Sequence, residues 1–413
     1  MELTSTRAWG PERLRPLFPA FDDAEFARVS YLDSAATSQR LRSAIAAQAS
    51  SESAAVGNPH RGAHRLASRS SDSLEASRAQ VAAFLGVPPA AVAFVSGATE
   101  AANLLARAAQ ASLRPSDIVY ATEIEHHSNY LPWMAAAKAA GAVFKAIPAG
   151  AGGELDLDWF EERVALDRPK WLAVSALSNV TGNAPPLAWM AELARRANPE
   201  ALVVADASQA GAHLAAGAPL WGADFAFISS HKVHAPAGSG VLAALDPALF
   251  DRLEPGKYGG GMIRGFRSPV DPRWAGGRAR FEAGSSNPGG AAGLASALST
   301  LSSWDLDLLR AHEAGLASWL AEELARIDGV RVLGGARRHG MVSFDASWAH
   351  AHDVGAALEE AGALVRVGHH CALPLMRAVG SAACARASFC CFSTEADAEA
   401  VVEGVQLAKR RFG

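Results

Sequence analysis

Cysteine is scarce in this chain. There are four in 413 residues, Cys371, Cys384, Cys390 and Cys391, all beyond position 370. They form no Cys-x-x-Cys pair and no zinc spacing, so no metal site is expected. Cys390 and Cys391 are adjacent and would point to opposite faces of a strand, which disfavours a bridge. An excess of charge of one sign is also missing. The net charge is −4, with acids and bases mixed throughout. No nucleic-acid partner and no membrane surface is expected from that balance. Long apolar runs are missing too. No stretch reaches membrane-spanning length, and Met1–Pro11 lacks a signal-peptide core, so the expectation is a soluble, cytoplasmic protein. Half of the residues are apolar, enough for one large domain plus a smaller one.

The most informative stretch runs from Leu202 to Lys232. An apolar run, Leu202-Val203-Val204-Ala205, ends on Asp206, and a second, Phe225-Ala226-Phe227-Ile228, ends in Ser229-Ser230-His231-Lys232. Short apolar runs with polar ends read as buried strands. In open α/β sheets ligands sit outside the carboxyl ends of the strands. Asp206, Gln209, Ser229, His231 and Lys232 therefore belong to one edge. Two readings follow. One is an Asp206–Lys232 ion pair, since unpaired buried charge is costly. The other is pyridoxal phosphate (PLP). A poorly solvated lysine has a lowered pKa and forms a Schiff base with an aldehyde, and an anion keeps the pyridine nitrogen protonated. Ser229 and His231, flanking the lysine, are placed for the phosphate. Five residue types suited to one cofactor favour PLP.

Upstream, Val92–Val95 reads as a strand, Ser96–Glu100 as a turn and Ala101–Ala111 as a helix. Strand, glycine turn and helix form a phosphate cradle, with Gly97, Ala98 and the Thr99 hydroxyl as donors. Strand runs at Ile118–Ala121 and Trp171–Ser175 lead to His126-His127 and to Asn179. Adjacent histidines rarely converge on one ion, so a metal there is set aside; an imidazole can instead stack on a pyridine ring. The β-α rhythm from Val92 to Leu245 predicts a mostly parallel sheet.

Asp206-Ala207-Ser208-Gln209 and Ser229-Ser230-His231-Lys232 resemble the Asp-x-x-Gln and Ser-x-His-Lys of fold-type I PLP enzymes of aminotransferase class V. Tyr31–Thr37 resembles the opening signature of that class. The resemblance implies an α/β PLP-dependent transferase fold, with a mostly parallel seven-stranded sheet in the large domain and a smaller α+β domain. It also implies roles. His126 stacks on the ring and moves protons. Asn179 and Gln209 tune the ring oxygen. His60, in the loop Gly57–Gly62, meets substrate at the mouth of the site. Ser285 binds the phosphate of the other subunit's cofactor, which makes the protein a homodimer. The expected division is 1–28 as a segment packing with the small domain, 29–292 as the large domain and 293–413 as the small one.

The small domain carries Arg366-Val367-Gly368-His369-His370-Cys371-Ala372-Leu373-Pro374. A thiolate is the nucleophilic form of cysteine, and cationic neighbours favour it. The alternative is a structural cysteine in a turn. This loop, with Arg386-Ala387-Ser388 downstream, resembles the group II (Suf-type) cysteine desulfurases, also called selenocysteine lyases. The resemblance implies that Arg386 forks onto the substrate carboxylate, with Arg366 beside it. It implies further that Lys232 holds PLP and acts as base, and that Cys371 takes the sulfur of L-cysteine as a persulfide, leaving L-alanine. A small sulfur-acceptor protein then serves iron–sulfur cluster or other sulfur biosynthesis. Selenocysteine and cysteine sulfinate fit the same clamp. The competing expectations are another class V reaction, such as an aminotransferase or epimerase, and a non-enzymatic PLP-binding sulfur carrier.

Overall fold

The computed structural model describes residues 10–54, 56–60, 62–213 and 219–413. Arg61 of the expected loop and the first nine positions lie outside them. The strands in chain order are β1 (Ser30–Tyr31), β2 (Val92–Val95), β3 (Ile118–Thr122), β4 (Val143–Ile147), β5 (Trp171–Ser175), β6 (Leu202–Asp206), β7 (Phe225–Ser229) and β8 (Gly240–Ala244). They continue with β9 (Ile263–Ser268), β10 (Asp271–Trp274), β11 (Val330–Leu333), β12 (Met341–Ala346), β13 (Ala363–Leu364), β14 (Arg366–Gly368) and β15 (Cys384–Ser388).

Seven strands form the large sheet, in the order β2-β8-β7-β6-β5-β3-β4. Strand β8 runs antiparallel to both of its neighbours, and the other pairings are parallel. All the strands but β8 therefore share one direction and deliver their carboxyl ends to one edge. Strands β5, β6, β7 and β8 are buried at every position. Their unbroken apolar runs are what a sheet covered on both faces requires. The register is tight at the edge that matters: Ser175 pairs with Asp206, and Ser229 with Gly240.

A second sheet, β11-β12-β15-β14, is antiparallel. The helices Leu306–Ala325, Ala351–Glu360 and Glu395–Phe412 cover it, and Leu320, Phe344, Leu358 and Val401 are in its core. The helix Glu395–Phe412 starts in the capping box expected at Thr394 and Asp397. The apolar run from Leu298 to Leu324 is two helices, Pro288–Ser302 and Leu306–Ala325. Leu298 and Leu301 pack in the large core, and Leu316 and Leu320 in the small one. The change of core thus falls beyond residue 293. The expected strand Ala363–Val367 is also two, because Ala363–Leu364 pairs with β1 while Arg366–Gly368 pairs with β15. Near the N-terminus, Phe18 packs in the large core, whereas Leu32 belongs to the small one.

Candidate active site

The shared edge of the large sheet opens on a cavity of about 160 Å³. Asp206, which ends β6, and Lys232, one short helical turn beyond β7, both line it. Ser229, His231, Ala98, Thr99, His126 and Asn179 line it as well. The ends of non-adjacent segments thus meet there as the sequence predicts. Gly97 lies just behind. A Cβ at that position would stand 3.3 Å from Ser229 Oγ, which already accepts from the Ala98 N–H at 2.8 Å. The helix Ala98–Gln110 begins there and turns its unpaired N–H groups toward the edge. Thr99 Oγ1 and Ser128 Oγ share a hydrogen bond of 2.9 Å.

Among the described residues, Lys232 Nζ makes no ion pair or hydrogen bond, and Asp206 pairs only with its own turn, accepting from the Ser208 N–H at 2.9 Å. Enclosure brings Lys232 down to about 8; the Asp206 anion opposes this, while Arg386 and Arg366 reinforce it. Burial raises Asp206 above the usual carboxylate range, with Lys232 acting against the rise. His126 caps the helix His127–Ala140 by accepting from the Ser128 N–H at 3.1 Å. Burial and the Lys232 charge bring His126 down to about 3, so its ring is neutral. Burial and Lys232 likewise hold His231 at about 4.

The small sheet supplies the positive side. Arg366 on β14 and Arg386 on β15 are directly paired, and both line the cavity. Like charges opposite one another destabilise a sheet, so the pair calls for an anion. Arg386 is 1% exposed. It donates to the Asn179 carbonyl at 2.7 Å and to Asp33 Oδ1 at 3.0 Å. Its Nε has no partner, and neither do His370 Nδ1 and Ser208 Oγ, all on residues of this cavity. A buried polar atom left unpaired costs roughly 1–3 kcal/mol. Three of them in one cavity mark a site built for a polar ligand.

Cys371 follows directly on His370, which lines the cavity, and is itself half-buried. His370 and Cys371 have φ of 50° and 54°. Left-handed backbone at a residue other than glycine costs on the order of 1–3 kcal/mol and persists where surroundings enforce it. Here Asn179 Nδ2 donates to the His370 carbonyl at 2.9 Å, and the His127 N–H donates to the Cys371 carbonyl at 2.7 Å.

Other expected residues stand outside the cavity. Gln209 is behind its wall, where Nε2 donates to the Ala35 carbonyl at 2.8 Å, and Ala35 itself lines the cavity. Ser285 lines a separate cavity with Lys257 and Glu100. His60, exposed and with φ of 62°, stands 3.4 Å from Glu75. Sequence reasoning missed Ser128, Ser208 and His370 in the wall and Asp33 behind Arg386. It also missed Glu125, fully buried beside His126, which accepts from Thr122, Asn129 and Ser175. A carboxylate shortly after an apolar strand and next to the candidate histidine was the available signal.

Comparison with known proteins agrees with this arrangement. Residues 30–401 match the aminotransferase class-V family. A probable cysteine desulfurase of Halalkalibacterium halodurans is 34% identical over 97% of this chain and 98% of its own. The cysteine desulfurase of Pectobacterium atrosepticum is 35% identical over 97% and 98%. Among solved structures, the cysteine desulfurase CsdA of Escherichia coli superposes with a TM-score of 0.88 at 30% identity, over 98% of this chain and all (100%) of that one. An apo cysteine desulfurase of Thermococcus onnurineus gives a TM-score of 0.90 at 31% identity and the same coverage. With its lysine, carboxylate and paired arginines gathered around one cavity, the chain belongs to the class-V aminotransferase family, and within it to the cysteine desulfurases.

Proposed function

We propose that this protein is a PLP-dependent desulfurase acting on L-cysteine, yielding L-alanine and a persulfide on Cys371. The observation that carries the reading is a lysine without an ion-pair partner among the described residues, in the same cavity as a buried carboxylate and two arginines, with a half-buried cysteine next in the chain to His370 of its wall. The residues present fit PLP. Lys232 is available to its aldehyde, Asp206 to its pyridine nitrogen, and the neutral His126 ring to its face. Ser229, Thr99, Ser128, His231 and the helix N-terminus at Ala98 suit the phosphate. The unpartnered polar atoms support the same fit.

When bound, PLP supplies an aldehyde that joins the substrate amine and a ring that accepts electrons from the substrate carbons. The protein supplies the rest. Arg386 and Arg366 hold the substrate α-carboxylate, as planar guanidinium groups do best. Lys232, held near 8, carries protons to and from the substrate carbons. The Cys371 thiolate attacks the substrate sulfur. The new S–S bond forms as the Cβ–S bond breaks, and its electron pair passes to the carbon skeleton, which takes up protons to become alanine. A thiol on a small acceptor protein then removes the outer sulfur. Asn179 holds the Cys371 loop through the His370 carbonyl as well as facing the cavity.

A homodimer is part of the proposal. Ser285 lies in a cavity of its own, and the nearby hairpin exposes Phe266 (59%) and Val270 (91%), apolar groups that a second copy would cover. A division into two domains along the two cores, with the smaller carrying Cys371, also belongs to the proposal, as does a location in the cytoplasm. No helix among the described residues is long and apolar enough to cross a membrane. Product analysis tests the activity. L-Cysteine should give alanine and a persulfide mapped to Cys371, and parallel incubations with selenocysteine and cysteine sulfinate rank the substrates. Formation of a keto acid in place of alanine would move the protein to an aminotransferase.

A further inference from the structure

Two histidines not used in the chemistry above hold the Cys371 loop, one from the helix packed beside it and one from within it. His127, at the start of the helix His127–Ala140, accepts from the Leu373 N–H through Nε2 at 3.2 Å. Its own N–H donates to the Cys371 carbonyl at 2.7 Å. His369, on the loop, accepts from the Cys371 N–H through Nδ1 at 3.0 Å. The two rings stand 5.8 Å apart, tilted by 33°. Cys371 is thus gripped at its N–H, at its carbonyl and at the N–H two residues on. In both side-chain contacts the imidazole accepts, and only a neutral ring nitrogen can do so. The left-handed pair His370–Cys371 sits inside this grip.

We infer that His127 and His369 are positioning residues for sulfur transfer: their neutral rings clasp the Cys371 turn, and a proton on either ring releases it. The inference rests on Cys371 being the sulfur acceptor. The surroundings favour a neutral His127 ring. Burial and His369 lower His127 below the ordinary histidine range. His126 stands beside it, with ring centroids 6.4 Å apart. Lys232, Arg366 and Arg386 bear on the neighbouring His126 ring, and Arg386 and Arg366 on that of His370. The His127 contact therefore opens only on the acid side, below the ordinary histidine range.

The test is single-turnover formation of the Cys371 persulfide by the PLP-loaded enzyme, followed from pH 5.5 to 8.5. Four single variants and one double are compared: His127→Ala, His369→Ala, His127→Gln, His369→Asn, and the Gln/Asn pair together. Glutamine and asparagine place a non-titrating acceptor oxygen near the ring nitrogen each replaces. The alanine variants should slow persulfide formation about tenfold at pH 7.5, since small misplacements of a reacting group cost that much or more. Cofactor absorbance should be unchanged. The double Gln/Asn variant should keep the rate within about threefold. Its acid limb should lose the contribution of the two histidine protons. Wild-type rates in both alanine variants, or an acid limb in the double variant that superimposes on wild type, would overturn the clasp. Persulfide formation that survives Cys371→Ser would instead overturn the assignment of Cys371, and the clasp with it.

Discussion

Asp206 and Lys232 line the same cavity and sense each other's charge, yet they do not close into an ion pair. Opposite charges in an enclosed site gain most by direct contact. Strand geometry prevents it here. Asp206 ends β6 in register with Phe227 of β7, and Lys232 comes a short turn after β7 ends. The gap between them is room for a ligand. At about 8, Lys232 has a sizeable neutral fraction near pH 8. The rate at which PLP attaches covalently to apoprotein should therefore rise with pH, with a midpoint near 8. In Asp206→Asn the midpoint should move lower, because the carboxylate is the group that holds the lysine's proton on, while turnover should fall. Borohydride reduction and peptide mapping check the site. Label on Lys170 or Lys257 would refute it.

Cys371→Ser separates the cofactor site from sulfur transfer. Cys371 does not line the cavity, so the variant should bind PLP with unchanged absorbance. Alanine formation from cysteine should drop by orders of magnitude, since a hydroxyl cannot take the sulfur. Selenocysteine, whose selenium leaves more readily, should suffer less. Unchanged turnover of cysteine would remove Cys371 from the mechanism.

The chemistry was legible wherever a polar residue ended an apolar run. Asp206 and the Ser229–Lys232 segment could be read this way, because strand ends in a parallel sheet share an edge. Contacts between segments distant in the chain could not. Arg386 was read as a carboxylate clamp from its motif, but its pairing with Arg366 and its tie to Asp33 depend on the register of β14 and β15 and on β1 leading into the small core. Gln209 was assigned to the ring oxygen from the Asp-x-x-Gln resemblance. Its Nε2 donor bond to the Ala35 carbonyl, across 174 residues of chain, was not legible. The helix His127–Ala140 escaped notice because Pro132 interrupts its pattern.

The two arginines should differ in what they cost. Arg386 is buried and tied to Asp33 and Asn179, whereas Arg366 is partly exposed. Arg386→Lys should raise KM for cysteine at least about tenfold, equivalent to about 1.4 kcal/mol, because a lysine cannot fork. It should also lower thermal stability, since Asp33 and the Asn179 carbonyl lose donors. Arg366→Lys should raise KM with little change in Tm. Steady-state kinetics and calorimetry read both. Equal KM in all three proteins would place the carboxylate elsewhere.

Glu125 offers a pH test of the cavity's support. Two forces act on it in opposite directions. Burial raises its pKa, while donors at Ser175, Thr122 and Asn129 stabilise the anion, and burial prevails, placing it at about 7. The donors are short, at 2.5 to 2.7 Å, but the Thr122 and Ser175 hydroxyls can rotate to accept a proton from the acid form. A carboxyl near 7 when folded and near 4.5 when unfolded binds its proton more tightly in the native state. Its contribution to stability is therefore full below about pH 4.5 and is lost as pH rises through about 7. At 1.36 kcal/mol per unit the loss is on the order of 3 kcal/mol. Other carboxylates also titrate over this range, so the measurement is a difference. Urea unfolding of wild type and Glu125→Gln at pH 5, 6, 7 and 8 should give a gap that moves against wild type as pH rises. A gap that moves the other way would mean the donors prevail and the site rests on a carboxylate anion beside His126.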